Sequence, residues 1–123
     1  AYCWNVSTTE WIARLPDGET REGTFRNDNG WQLKADPKWA AVYDPGTKKG
    51  ILMLHPEIIP GMGVRSAFWD VPRRYHKYDV FPKVTNPIPK GEKSGWYRLT
   101  IKGFSADEAA WKETATAVAA PGR

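Results

Sequence analysis

Glycine and proline interrupt this chain so often that little of it can form long helices. The 123 residues include eleven Gly and ten Pro. The segments between these residues are short and rich in aromatic and β-branched side chains, which is typical of antiparallel β proteins. The length suits one domain and permits a hydrophobic core without a metal or a disulfide. The sequence therefore predicts an all-β fold, an antiparallel β-sandwich of the jelly-roll or mutarotase-like kind.

Two hairpins are predicted from their turns. Pro16-Asp17-Gly18-Glu19 lies within Trp11–Arg26, where proline presets φ and Asp-Gly tolerates a positive φ. A second hairpin spans Trp39–His55, and its second arm, Ile51–His55, is apolar on both sides. Such a pattern indicates a central strand that is covered on both faces. Further strands are predicted at Tyr2–Thr8, Tyr75–Val80 and Trp96–Ile101, and a turn at Asn27–Gly30 leads to Trp31–Leu33.

One C-terminal helix is predicted after the strands. Ser105-Ala106-Asp107-Glu108 matches a capping box, and an alanine-rich run follows it. Trp111, Ala115 and Val118 share one helical stripe, so they are expected to pack on the sandwich. We expect a β-sandwich over residues 1–104 and a helix of about four turns over 105–120, joined in a single domain.

Seven tryptophans are many for so short a chain: Trp4, Trp11, Trp31, Trp39, Trp69, Trp96 and Trp111. Trp111 belongs to the predicted helix stripe, and three others lie in predicted strands where burial is expected, namely Trp4, Trp11 and Trp39. Trp31 follows a turn, Trp96 begins a strand on its more polar face, and Trp69 lies in a predicted loop over Pro56–Val71. These three are the candidates for exposed rings that bind a flat ligand.

An aromatic and basic cluster surrounds Trp69. Phe68-Trp69-Asp70 is followed by Arg73-Arg74-Tyr75-His76. An aromatic ring suits the C–H face of a sugar, planar polar groups suit its hydroxyls, and arginine pairs with the carboxylates of uronic acids. The alternative is that Trp69 fills one end of the sandwich while the arginines form local salt bridges.

Motifs for metal, nucleotide or nucleophilic chemistry are not apparent in the sequence. His55 and His76 are the only histidines, Cys3 is the only cysteine, and no His-x-His, Cys-x-x-Cys, Gly-x-Ser-x-Gly or phosphate-binding loop occurs. We therefore predict no metal and no cofactor. Paired carboxylates for acid–base catalysis form in space rather than in sequence, so Glu57 and Asp70 stay open as candidates.

The distribution of charged residues does not favour nucleic acid as a binding partner. The net charge is +4, but acidic residues are interspersed with the basic ones and no RNA-binding consensus occurs, so nucleic acid is not the expected partner.

A run of about 18 apolar residues, as a membrane-spanning helix requires, does not occur. The strand-like start at Ala1-Tyr2-Cys3-Trp4 fits a mature secreted protein or a piece cut from a longer one. We expect an extracellular or periplasmic location.

A family resemblance covers roughly Trp31 to Phe104. Trp39–Leu54, followed by Trp69-Asp70, Tyr75-His76-Lys77 and Pro89-Lys90-Gly91-Glu92, resembles the later part of galactose-mutarotase-like β-sandwich domains. These domains occur in sugar epimerases, polysaccharide lyases and glycoside hydrolases. The resemblance implies a sandwich architecture and a carbohydrate context, and it transfers no catalytic residue.

The sequence thus predicts a non-catalytic module that binds polysaccharide, including polymers that contain uronic acids. Its predicted contact residues are Trp31, Trp69, Asp70, Arg73, Arg74, Tyr75, His76 and Trp96. A first alternative is a carbohydrate-active enzyme or part of one, of lyase or epimerase type, in which an arginine neutralises a uronate and a tyrosine or histidine moves the proton. A second is a protein–protein interaction domain. The sugar and the oligomeric state are not fixed by the sequence.

Overall fold

The prediction of an antiparallel β-sandwich with one C-terminal helix is confirmed. The computed structural model describes residues 2–4, 7–26, 30–55, 62–71, 73–84, 89–92 and 98–120, and for 2–4, 62–66 and 81–84 it describes the backbone alone. The elements are β1 (Tyr2–Trp4), β2 (Glu10–Arg14), β3 (Thr20–Thr24), β4 (Trp31–Ala35), β5 (Trp39–Asp44), β6 (Lys49–Leu54), β7 (Met62–Val71), β8 (Tyr75–Val84), β9 (Thr100–Ser105) and α1 (Trp111–Ala119).

The strands form two antiparallel sheets. One has the order β1-β8-β7-β4 and the other β3-β2-β5-β6-β9. Both predicted hairpins are present, with β2 paired to β3 and β5 paired to β6. Residues 62–71 form strand β7 rather than the predicted loop, so Trp69 lies in a sheet. The prediction relied on nearby glycines and prolines, whereas the β8 partner continues in register from Val84 to Tyr75 and stabilises this segment as a strand.

The space between the sheets is filled by a first hydrophobic core. The five-stranded sheet contributes small and large side chains in alternation, and the other sheet contributes aromatic rings. The buried members are Trp11, Ala13, Phe25, Ala40, Val42, Met53, Phe68 and Tyr78. Because strand side chains alternate between faces, Phe68 and Tyr78 define the inner face of β7 and β8, and their sequence neighbours point outward.

The second face of the five-stranded sheet is covered by α1. Trp111 is 1% exposed and stacks on Tyr43 with ring centroids 5.1 Å apart, as the predicted docking through Trp111 requires. The predicted start at Ser105 is wrong, because Ser105 ends β9 opposite Lys49 and α1 begins at Trp111 without a side-chain cap. β5 is buried throughout because the sheet is covered on both faces.

Candidate functional site

Two tryptophans stand side by side on the outer face of the four-stranded sheet. Trp31 of β4 lies opposite Trp69 of β7, and Trp69 lies opposite Lys77 of β8. Directly opposed residues share a face, so the three side chains form one row across three strands. The two indoles stack with centroids 5.0 Å apart and planes 14° apart. The structure thus brings together two of the three tryptophans that the sequence selected.

A cation lies over this pair of rings. The Lys77 Nζ is 4.0 Å from the Trp69 ring centroid and 5.8 Å from that of Trp31. The same ammonium forms an ion pair at 3.1 Å with Asp79, which lies two residues along β8 on the same face. Cation–π contacts of partly buried groups contribute about 1 kcal/mol, so Lys77 orders the rings as well as neutralising Asp79.

Tyr75 extends the row of aromatic side chains along β8. It lies two residues before Lys77, so it faces the same side of the sheet, and 37% of it is exposed. Trp31 is 40% exposed, and Trp69 is half-buried. We call the side chains of Trp31, Trp69, Tyr75 and Lys77 the outer aromatic face. Arg73 and Arg74 are exposed in the turn that joins β7 to β8, next to Tyr75.

The position of Trp31 depends on an irregular edge strand. Gln32 points inward and holds β4 by accepting a hydrogen bond from Trp11 Nε1 and donating one to the Thr24 carbonyl. The register then shifts between Gln32 and Ala35, where Leu33 and Lys34 both have positive φ. A bulge of this kind bends an edge strand and discourages further strand pairing. We infer that β4 contributes to binding through the Trp31 side chain rather than by pairing its backbone with a further strand.

Two predicted contact residues are buried, which corrects their assignment to a binding surface. Asp70 is 0% exposed and His76 is 3% exposed, because both lie on the inner face of the sheet. The His76 ring has Nδ1 2.5 Å from the Thr8 carbonyl oxygen and Nε2 2.9 Å from Asp70 Oδ1, and it stacks on Phe25 at 4.2 Å. Both ring nitrogens face protein oxygen atoms, so His76 cannot reach a ligand on the outer face.

Three of the other five tryptophans lie in the hydrophobic cores. Trp11, Trp39 and Trp111 are buried, as predicted. The structure describes Trp4 only as backbone, and Trp96 lies outside the described residues.

Sequence reasoning missed Lys77 and Asp79 as parts of the site. The sequence signal that could have identified them is their spacing from Tyr75, because every second residue of a strand lies on the same face.

The second histidine, His55, follows β6 beside the first core. Its Nε2 lies 2.7 Å from the hydroxyl oxygen of the buried Tyr78. Burial of the ring disfavours its charged form and lowers the pKa of His55 from 6.5 to about 4. The neutral imidazole is thus the form compatible with the folded state near neutral pH.

This lowered pKa predicts an acid-sensitive fold. Between pH 6.5 and 4 the unfolded chain binds a proton at His55 that the folded chain does not, so stability falls as the pH falls. From pH 7 to pH 5 we expect a loss of about 2 kcal/mol from this group. Urea unfolding at both pH values measures it, with His55→Gln as the non-titrating control. Equal pH dependence in the two proteins would contradict the assignment.

Among the described residues, no group of three or more His, Cys, Asp or Glu side chains could hold a metal ion. Within that same part of the chain, no helix is long and apolar enough to cross a membrane. Comparison with protein families, curated proteins and solved structures found no match to this chain. The galactose-mutarotase-like resemblance therefore stays a prediction.

Proposed function

We propose that this protein binds polysaccharide through the outer aromatic face, without acting on the bond between sugars. The observation that carries the proposal is the Trp31–Trp69 stack on the outside of a sheet. Ordinary surface tryptophans are scattered singly, whereas here two stacked rings and Tyr75 share one face. An extended row of aromatic side chains can contact several consecutive sugars of one chain, which a single ring cannot.

Polar groups beside the rings support the same function. Arg73 and Arg74 lie in the exposed β7–β8 turn, and Lys77 lies over both indoles. Guanidinium groups donate paired hydrogen bonds to carboxylates, so a polymer that contains uronic acids suits this edge of the face. The proposal retains Trp31, Trp69, Tyr75, Arg73 and Arg74 as contacts and adds Lys77.

Burial of His76 and Asp70 removes two candidate proton-transfer groups of the enzyme alternative and leaves its tyrosine, Tyr75, exposed. A proton-transferring group must come within hydrogen-bond reach of the substrate, and both of these side chains are enclosed on the inner face. Arg73, Arg74 and Tyr75 are exposed, and we assign them to binding. The proposed site is accordingly a binding surface. We also propose that the protein works in an extracellular or periplasmic location.

Trp31→Ala tests the proposal. Removing this ring deletes half of the stack, and we expect affinity for the bound polymer to fall at least about tenfold, since exposed aromatic anchors dominate such surfaces. Retention on cellulose, xylan, mannan, chitin, pectin and alginate identifies the polymer, and titration gives its affinity. The measurement is made on wild type and variant side by side.

Ile101→Ala is the matched control for Trp31→Ala. Ile101 is 48% exposed but belongs to β9 of the other sheet. Truncating it removes comparable exposed apolar surface away from the outer aromatic face, so binding is expected to stay at the wild-type value. Equal losses in both variants would contradict the site. No retention on any of the six polymers, combined with a molecular mass that rises with concentration, would favour a protein-interaction surface instead.

A further inference from the structure

A cavity lies at one end of the sandwich, away from the outer aromatic face. It has a volume of about 170 Å³ and is lined by Thr8, Val42, Asp44, Thr47, Lys49, Gly50 and Ile51. Val42 pairs with Ile51 and Asp44 with Lys49 across β5 and β6, so these four side chains share the inner face of the five-stranded sheet. The cavity therefore has an apolar floor and a polar rim.

One wall of the cavity is a buried carboxylate. Asp44 is 9% exposed, and its oxygens accept hydrogen bonds from the Ser7 hydroxyl at 2.7 Å, the Gly46 amide at 2.9 Å and the Thr47 amide at 3.3 Å. Burial by itself raises the pKa of Asp44, but the hydrogen bonds from Ser7, Thr47 and Gly46 outweigh it and hold that pKa below 3.8. Asp44 is thus ionised at neutral pH, and these three bonds leave about one of the carboxylate's four lone-pair sites for a ligand hydroxyl.

The opposite rim carries a cation. Lys49 is exposed, and within the described part of the chain its ammonium makes no ion pair. The positive charge of Lys49 attracts an anionic ligand, whereas the nearby Asp44 carboxylate repels an anion that carries no hydrogen-bond donor. A ligand hydroxyl that donates a hydrogen bond to Asp44 offsets this repulsion, so the pair selects a ligand that is both anionic and hydroxylated. Thr8 and Thr47 add polar atoms to the rim, and Val42 and Ile51 provide a surface for C–H groups.

We propose that this cavity binds one small hydroxylated carboxylate, of the size of a single sugar acid. The ligand carboxylate contacts Lys49, its hydroxyls contact Asp44 and Thr47, and its carbon skeleton lies on Val42 and Ile51. The Asp44–Lys49 cavity is independent of the outer aromatic face, because it opens on the inner face of the other sheet. A ligand of about a dozen non-hydrogen atoms is expected to bind with a Kd of about 1 mM.

The test is a titration of the whole protein with D-glucuronate, followed by amide NMR. Saturable shifts are expected for Val42, Thr47, Gly50 and Ile51. D-Glucose and acetate, titrated in the same way, are each expected to bind at least about tenfold more weakly, since each lacks one of the two recognised groups. If glucose binds as tightly, the role of Lys49 is overturned. If acetate binds as tightly, the role of Asp44 is overturned.

Lys49→Gln completes the test and separates it from the polysaccharide proposal. This variant is expected to lose glucuronate affinity at least about tenfold while its unfolding midpoint and polymer retention stay unchanged. Lys38→Gln is the matched control, because Lys38 is exposed just before the opposite end of β5. Trp31→Ala should bind glucuronate normally. No saturable shift at the cavity, or equal affinity in Lys49→Gln and wild type, would overturn the inference.

Discussion

Trp111→Ala is expected to lower the free energy of unfolding by about 4 kcal/mol, the largest effect of any single change considered. Trp111 is 1% exposed and lies in a second hydrophobic core, formed between α1 and the five-stranded sheet. There it packs against Tyr43, whose ring is nearly parallel to its own. Truncation would remove the main contact between α1 and the five-stranded sheet and leave a cavity above Tyr43 that the short helix cannot fill.

Thr116→Ala is the control for this prediction. Thr116 lies on the exposed side of α1, and its hydroxyl only donates a hydrogen bond to the Lys112 carbonyl. Alanine favours helix more than threonine does, so stability should be unchanged or slightly higher. Urea unfolding of both variants makes the comparison. A loss below about 1 kcal/mol for Trp111→Ala would mean that α1 does not contribute to the core.

Gly50→Ala is expected to destabilise the protein by about 3 kcal/mol, although it adds only one methyl group. Gly50 lies directly opposite Phe104, and an added Cβ would overlap the end of the Phe104 ring. That ring is buried in the second core with Leu52 and Trp111, so it cannot swing away without opening the contact between α1 and the sheet. Glycine is required here by the close approach of the ring and not by a positive φ.

Gly103→Ala provides a control in the same pair of strands. Gly103 lies opposite Ile51, and an added Cβ would meet no atom within 4 Å. Its free energy of unfolding should equal that of the wild type or exceed it slightly, because alanine restricts the unfolded chain more than glycine. If chemical denaturation showed the same stability for Gly50→Ala and Gly103→Ala, the described packing of Phe104 on Gly50 would be wrong.

Local signals in the sequence were sufficient for much of the sandwich. The Asp-Gly turn before Glu19 and the apolar arm of β6 each specify their strand pairing with a nearby segment. The stripe through Trp111 likewise identified the face of α1 that packs. In these cases the residues that determine the structure are close together in the chain.

The misassigned segments depend on distant partners. Strand β7 forms because it pairs with β8 along its full length, which outweighs the glycine and proline residues near its start. The capping box at Ser105 does not form because pairing with Lys49 extends β9 through that residue. Tertiary hydrogen bonding outweighed a local preference in both cases.

The candidate site was found only in part for a related reason. Trp69 and Asp70 are adjacent in the chain, yet alternation along β7 places Trp69 outside and Asp70 in the core. Had residues 62–71 been recognised as a strand, Asp70 and His76 would have been assigned to the inner face and Lys77 to the outer one. The stacking of Trp31 on Trp69 depends on the order of strands in the sheet, which the sequence did not specify.

Indole NMR during titration with a polysaccharide fragment is the most direct test of the central claim. A hexasaccharide of whichever polymer the protein retains is added to uniformly ¹⁵N-labelled protein, and each indole N–H signal is followed. We predict saturable shifts for Trp31 and Trp69 at the outer aromatic face, with little change for the buried Trp11, Trp39 and Trp111. Binding that leaves Trp31 and Trp69 unshifted would contradict the proposed site.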